Sequence, residues 1–289
     1  MDFQTLLGAL QIEANRVALC LHKPGDARER LALMSLADTQ ATAFETYQST
    51  HPRQAEATLK ARDVMASFVT RGDGTLTFVG LYQQNGWTER SAKELEADPA
   101  MQALFTFIGS KRGFEERGIK SRAQFSLMLM AELAELRGRL IVADPGARAH
   151  MRLAETTPLS IVAITPEPDL CPSMPDWRDL VIDTATLRAL PRRWAETLRH
   201  WRGIYLIMDT SDGARYVGAA YGAENLLGRW QAHIAGEFGV TRELSRRDPN
   251  YFTFTILDLV SPVARIDEVT QLEHTWIERL HTRRFGLNS

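Results

Sequence analysis

Apolar and polar positions alternate most clearly near the end of the chain. Phe252, Phe254 and Ile256 take one side and Thr253 and Thr255 the other, a period of two that predicts a strand over 251–259. A second, shorter alternation lies upstream: Ile204, Leu206 and Met208, then Thr210-Ser211-Asp212-Gly213, then Tyr216 and Val217. Two short strands joined by a Ser-Asp-Gly turn is the reading, because glycine accepts the positive φ such a turn needs. Between these signals Leu227, Trp230 and Ile234 form a helical stripe over 223–235. Val269, Glu273, Trp276 and Leu280 form another over 266–283, with Asp267 and Glu268 in its first turn and Arg283 and Arg284 in its last, an order that suits the helix dipole. Glu273 therefore lies on the stripe expected to face the core, where a bare carboxylate costs several kcal/mol unless paired or bound to metal.

The first 175 residues are less regular. The pattern predicts helices over 6–10, 40–48, 55–68 (Leu59, Val64 and Phe68 on its apolar side), 92–108 and 123–137. It predicts strands over 17–22, 76–82, 140–143 and 160–164. This mixed order implies an α+β domain with a curled sheet. Pro166, Pro168, Pro172 and Pro175 then interrupt regular structure and mark a boundary. A short strand is expected over 177–183. A helix starting at Pro191 follows, with Trp194, Leu198 and Trp201 on one face. The expected organisation is an α+β domain over 1–175 with a DNA-targeting or binding role, a linker and approach helix over 176–200, and a small domain over 201–289.

Composition narrows the class. Of 289 residues, 44% are apolar and 24% charged, the balance of a globular protein. No apolar run approaches the roughly 20 residues that span a bilayer, and the first residues lack a signal layout. The expectation is a cytoplasmic protein without a membrane partner. Cys20 and Cys171 stand in no metal spacing and read as reduced thiols. A net charge of −2 does not advertise a nucleic-acid partner, but the distribution changes the picture. Beyond Lys120 every basic residue except histidine is arginine, the side chain that grips phosphate with two parallel hydrogen bonds. Arg199 and Arg202 before the hairpin and Arg242, Arg246 and Arg247 after it are candidate DNA contacts, with surface ion pairing as the alternative use of each.

The hairpin carries the chemistry. Gly203-Ile204-Tyr205 and Tyr216-Val217-Gly218 bring two phenols together. Arg229 and His233 follow four residues apart on neighbouring parts of one helix face. Glu273 and Asn288 lie further on. In this order, residues 201–289 resemble the GIY-YIG nuclease domain, whose pattern falls here on Tyr205, Tyr216, Arg229, Glu273 and Asn288. The second motif reads Tyr-Val-Gly in place of Tyr-Ile-Gly. The resemblance covers about a third of the chain. It implies a small three-stranded antiparallel sheet flanked by helices, preceded by the larger mixed α+β domain.

It also implies a DNA endonuclease that hydrolyses phosphodiester bonds. Glu273 would hold Mg²⁺ or Mn²⁺; magnesium in particular favours few carboxylates and several waters. Arg229 would hold a phosphate oxygen and His233 would assist proton movement. A tyrosine, Tyr205 before Tyr216, would serve as base. Asn288 is the matched position nearest the chain end. Two alternatives accompany this reading: a catalytically silent DNA-binding protein, and a reader-effector nuclease of restriction or anti-phage defence that acts on modified or foreign DNA. Two-strand cleavage by one small site would call for a homodimer or a second nick. Upstream, His22, Tyr47, Tyr82 and Trp87 are candidates to line a pocket, with ordinary core packing as the alternative.

Overall fold

A computed structural model describes residues 1–108, 113–146, 149–236 and 243–288. The chain divides into two compact units, Met1–Pro172 and Ser173–Ser289. No helix among the described residues is long and apolar enough to cross a membrane.

The first unit runs α1 (Phe3–Ala9), β1 (Val17–His22), α2 (Ala27–Thr39), α3 (Ala41–Gln48), α4 (Arg53–Lys60), β2 (Val64–Thr70), β3 (Thr75–Ser91), α5 (Ala92–Glu96), α6 (Pro99–Phe107), β4 (Ser121–Leu129), β5 (Leu140–Ala143), β6 (Met151–Leu153) and β7 (Ile161–Ile164). Its strands form one mixed sheet in the order β6-β1-β2-β3-β5-β7, with β4 paired to β3. β1 and β2 are parallel, and the other pairings are antiparallel. β3 is long enough to serve different neighbours: its first part pairs with β2 and β5, its second with β4, across a register shift between Gln84 and Trp87. The α+β expectation with a curled mixed sheet agrees with this arrangement.

Several expected elements differ. Residues 55–68 are not one helix. α4 ends at Lys60 and β2 begins at Val64. Every residue of β2 is buried, so it reads as a continuous apolar run with no period of two to betray it. Residues 123–137 are a strand and a short turn of helix: in β4, Ala123 and Phe125 point inward while Gln124 and Ser126 do not. The Leu, Met and Ala content favours helix locally, and pairing with β3 overrides that propensity. The helix expected over 92–108 is two, divided where Asp98 caps a new start and Pro99 takes the first helical position. α2 was not anticipated, although Asp26 caps it by accepting from the Arg28 and Glu29 backbone.

β1 shows how the sheet is covered on both sides. Val17, Leu19 and Leu21 pack with Phe3, Leu7, Phe68 and Phe78, while Ala18 and Cys20 pack with Leu59, Met65 and Tyr82. Both cysteines are buried and free.

The second unit runs β8 (Val181–Asp183), α7 (Thr184–Arg188), α8 (Arg192–His200), β9 (Arg202–Asp209), β10 (Arg215–Ala220), α9 (Asn225–Ala235), β11 (Phe252–Val260), α10 (Ile266–Arg279) and α11 (Thr282–Phe285). The expected three-stranded sheet has four strands, ordered β10-β9-β11-β8 and antiparallel throughout. The extra strand is β8, from the segment expected to be a linker. Ile182 is fully buried and pairs with Phe254, which ties that segment into the sheet. The last helix is also shorter than expected: it ends at Arg279, and His281 at φ 53 starts α11.

The pleat separates two faces. Ile204, Val217 and Ala219 meet Val269 and Ile277 of α10. On the other face Trp230 of α9, fully buried, lies 5.3 Å from Phe254 between ring centroids. Side chains of this size each contribute about 1.5–3 kcal/mol on burial, enough to fix α9 and its polar residues against the sheet.

Candidate active site

Tyr205 pairs with Gly218 across the β9–β10 hairpin and Tyr216 pairs with Ile207. The phenols are therefore diagonal neighbours on the α9 face, with ring centroids 6.5 Å apart. Two glycines make this arrangement possible. A Cβ on Gly218 would stand 2.4 Å from the Tyr205 hydroxyl and 2.6 Å from its ring carbon, so the phenol lies directly over the place a side chain would occupy. A Cβ on Gly203 would meet the Asp258 carbonyl oxygen at 2.2 Å, where the β9–β11 register shifts beside Ile256 and Asp258. The glycines that begin and end the two tripeptides thus serve close approach, whereas Gly213 serves the turn, at φ +80 and with open space around it. The Gly-x-Tyr and Tyr-x-Gly spacing was the available signal for these two residues.

α9 brings Arg229 and His233 over the phenols. The Tyr205 hydroxyl lies 2.7 Å from His233 Nε2, and Arg229 hydrogen-bonds both phenols. Arginine can only donate, so the Tyr205 oxygen accepts from Arg229 and gives its own proton to His233 Nε2. The imidazole proton then sits on Nδ1, which is buried and has no partner among the described residues. His233 is 2% exposed. Burial, reinforced by the Arg229 charge, lowers its pKa to about 3. Burial raises both phenols, and the neighbouring Tyr216 for Tyr205 and Glu273 for Tyr216 add to this, while Arg229 pulls each back. At neutral pH the site holds two phenols, a neutral imidazole and a guanidinium.

Glu273 arrives by another route. α10 packs on the opposite face of the sheet from the phenols, but β10 is the edge strand. The Glu273 carboxylate accepts from the Ala219 backbone N–H. The Val217 N–H, two residues earlier, bonds Asn288 at the same free edge. From that edge the carboxylate is coupled electrostatically to Tyr205, Tyr216 and Arg229. Burial raises its pKa, opposed by His274, Ala219 and Arg229. It is half-buried and has no ion-pair partner within 4 Å among the described residues. A carboxylate so placed fits a divalent ion that completes its shell with water, and Glu273 stands alone in this: no three His, Cys, Asp or Glu residues cluster for a metal among the described residues.

Asn288 uses both ends of its amide on one residue: Oδ1 accepts from Val217 N at 2.9 Å and Nδ2 donates to Val217 O at 2.8 Å. It extends the sheet edge as a strand would. Leu287 anchors the tail, buried and bonded to the Arg215 carbonyl, while Phe285 is exposed.

The candidate DNA contacts have varied surroundings. Arg199 pairs with Glu224, Arg202 donates to the Pro262 and Ala264 carbonyls, and Arg247 pairs with Asp209 and Asp212 at the hairpin turn. Arg246 is exposed, and Arg242 lies outside the described residues. In the first unit His22 and Tyr47 come together, with ring centroids 5.2 Å apart. Tyr82 is buried beneath the sheet's helices, and Trp87 is exposed under the Lys60 ammonium, 3.7 Å from its ring centre.

No family model matches the chain, and no curated protein matches it. Among solved structures, the chain is similar to the catalytic domain of homing endonuclease I-TevI, 28% identical over 30% of this chain and 96% of that one, with a TM-score of 0.26. A mutant of the catalytic domain of intron endonuclease I-TevI gives 26% identity over 30% of this chain and 92% of that one, also at 0.26.

Proposed function

We propose that the second unit is a GIY-YIG-type, divalent-metal-dependent endonuclease that hydrolyses phosphodiester bonds in DNA. The observation that carries this reading is the convergence on one sheet edge of two buried phenols, the Tyr205–His233 bond of 2.7 Å, the Arg229 guanidinium and the half-buried Glu273. Hydrolysis of a phosphodiester needs a cation on the non-bridging oxygens and an acceptor for the proton of the attacking water. Arg229 supplies the first. Tyr205 supplies the second: it takes the proton from water as it passes its own to His233 Nε2, and the imidazolium, disfavoured by burial and by Arg229, hands the proton on once the leaving oxygen departs. Tyr216 donates to a phosphate oxygen and orients it. Glu273 holds Mg²⁺ or Mn²⁺, which when bound stabilises charge on the leaving 3′ oxygen. Asn288 holds the edge strand in register. The first unit targets the nuclease to its DNA.

Plasmid nicking in Mg²⁺ by the wild-type chain and by Glu273→Ala tests this. The expected result is cleavage by the first and loss in the second. Equal cleavage by both overturns the metal assignment. DNA binding without cleavage by the wild type overturns the enzyme and leaves a catalytically silent binding protein.

A further inference from the structure

The first unit contains a cavity of 420 Å³ that the nuclease reading does not use. Its size falls in the range of about 300–1,000 Å³ typical of small-molecule sites. Its wall combines three kinds of surface. Tyr47, Met101 and Phe105 are aromatic or apolar. His22, His51 and His150 contribute imidazoles, with the rings of His51 and His150 5.8 Å apart. Lys23, Arg117 and Arg122 are basic, against Glu29 as the acidic group of the lining.

Each surface restricts what fits. The histidines are not a metal centre, since no three such groups cluster for an ion among the described residues. They are hydrogen-bonding groups held neutral: burial lowers His22 and His51 to about 3, helped by the other imidazoles. His22 is in contact with Cys20 Sγ, 3.4 Å from Nε2. His51 is 4% exposed, yet its Nε2 reaches no partner among the described residues. Leaving such an atom unmet costs about 1–3 kcal/mol. Deeper in, Gln48 is fully buried; it lies near His22 and Tyr82, but neither end of its amide meets a partner in hydrogen-bonding geometry. The polar demand is thus concentrated on one side of the cavity. Lys23 is already paired with Asp144. Arg122 is half-buried, and its guanidinium donates to the Ser121 carbonyl at 3.2 Å with no carboxylate partner among the described residues.

We infer that this cavity binds a single nucleotide, with the planar base against Tyr47 and Phe105, a heteroatom of its edge on His51 Nε2, and its phosphate on Arg122. An aromatic acid would satisfy the wall and the arginine but leave His51 unmet. A simple anion would leave the apolar wall uncovered. A nucleotide answers all three, whether free in solution or turned out of a strand, because the recognised chemistry is the same. This inference does not rest on the nuclease reading, since no residue is shared.

Calorimetric titration of the full chain tests it. The ligands are the four 2′-deoxynucleoside 5′-monophosphates, their nucleosides, inorganic phosphate, and a short duplex with one mismatched pair. The expected result is saturable binding of at least one monophosphate. Arg122→Gln should weaken it roughly tenfold while leaving the nucleoside unaffected, and His51→Phe should weaken both nucleotide and nucleoside by a similar factor. Arg122 lies at a half-buried position, so its variant remains informative if His51→Phe fails to fold, which circular dichroism reports. Competition between monophosphate and mismatched duplex assigns the site to an extruded nucleotide; binding of monophosphate without competition assigns it to a free one. The inference is overturned if no monophosphate binds saturably, if binding is unchanged in Arg122→Gln, or if inorganic phosphate binds as tightly as the nucleotides.

Discussion

Each unit buries histidine in a neutral state, and the two differ in what that histidine touches. In the second unit His233 Nε2 is committed to the Tyr205 hydroxyl, itself held by Arg229. In the first, His51 Nε2 faces a cavity with no protein partner. The same physical cause, loss of solvation, lowers both imidazoles to about 3. A buried imidazole that is already bonded can relay a proton within a closed chain of groups. One left unbonded can recognise something that enters. What an imidazole does in these sites is set by the partner more than by the shift.

The largest effect expected from breaking the second of these arrangements is Arg229→Ala. It removes the cation that both phenols share, and the single-turnover cleavage rate should fall by about 10²–10³. A change smaller than tenfold would show that the phosphate is held elsewhere.

Close packing at the hairpin comes next. Gly203→Ala places a methyl against a backbone carbonyl and Gly218→Ala places one against the Tyr205 ring; each should cost about 1–3 kcal/mol in urea unfolding. Gly218→Ala should also slow cleavage, because the methyl moves the phenol. Gly213→Ala, strained at the turn but unobstructed, should cost about 1–2 kcal/mol and leave cleavage intact.

Acid sharpens the contrast between the units. Unfolded histidine titrates near 6.5, well above the folded values of about 3 for His22, His51 and His233. As pH falls from about 6.5 to 4.5 the unfolded chain therefore binds more protons than the folded one, and stability drops by up to about 1.4 kcal/mol per pH unit for each such histidine. The first unit has two of them, and burial lowers His150 as well; the second has His233. Amide hydrogen exchange in β1 should accelerate on acidification about twice as steeply as in β9. Equal slopes would mean that the first-unit histidines are already protonated in the fold.

The smallest expected effect is at the tail. Asn288→Ala removes two bonds to Val217, worth about 0.5–1.5 kcal/mol each. Unfolding should shift accordingly, with the KM for DNA unchanged, since the amide grips the strand and not the substrate.

Local pattern was sufficient for the hairpin, the alternating strand β11, the helices that carry Arg229 and Glu273, and the α+β character of the first unit. In each, one face is buried and the other is not, so the period is written in the order of residues. It was insufficient where burial is two-sided, as in β2, and where a partner strand overrides local propensity, as in β4. Four further matters were decided only in three dimensions. Val181–Asp183 became a fourth strand because β11 had an open edge. Glu273 reached the phenols around the single-strand edge of β10 and not across the sheet. Asn288 spent its amide on the Val217 backbone. His22, His51 and His150, scattered along the chain, came to line one cavity. In all four the deciding quantity is a distance between residues far apart in sequence, and no periodicity encodes such a distance.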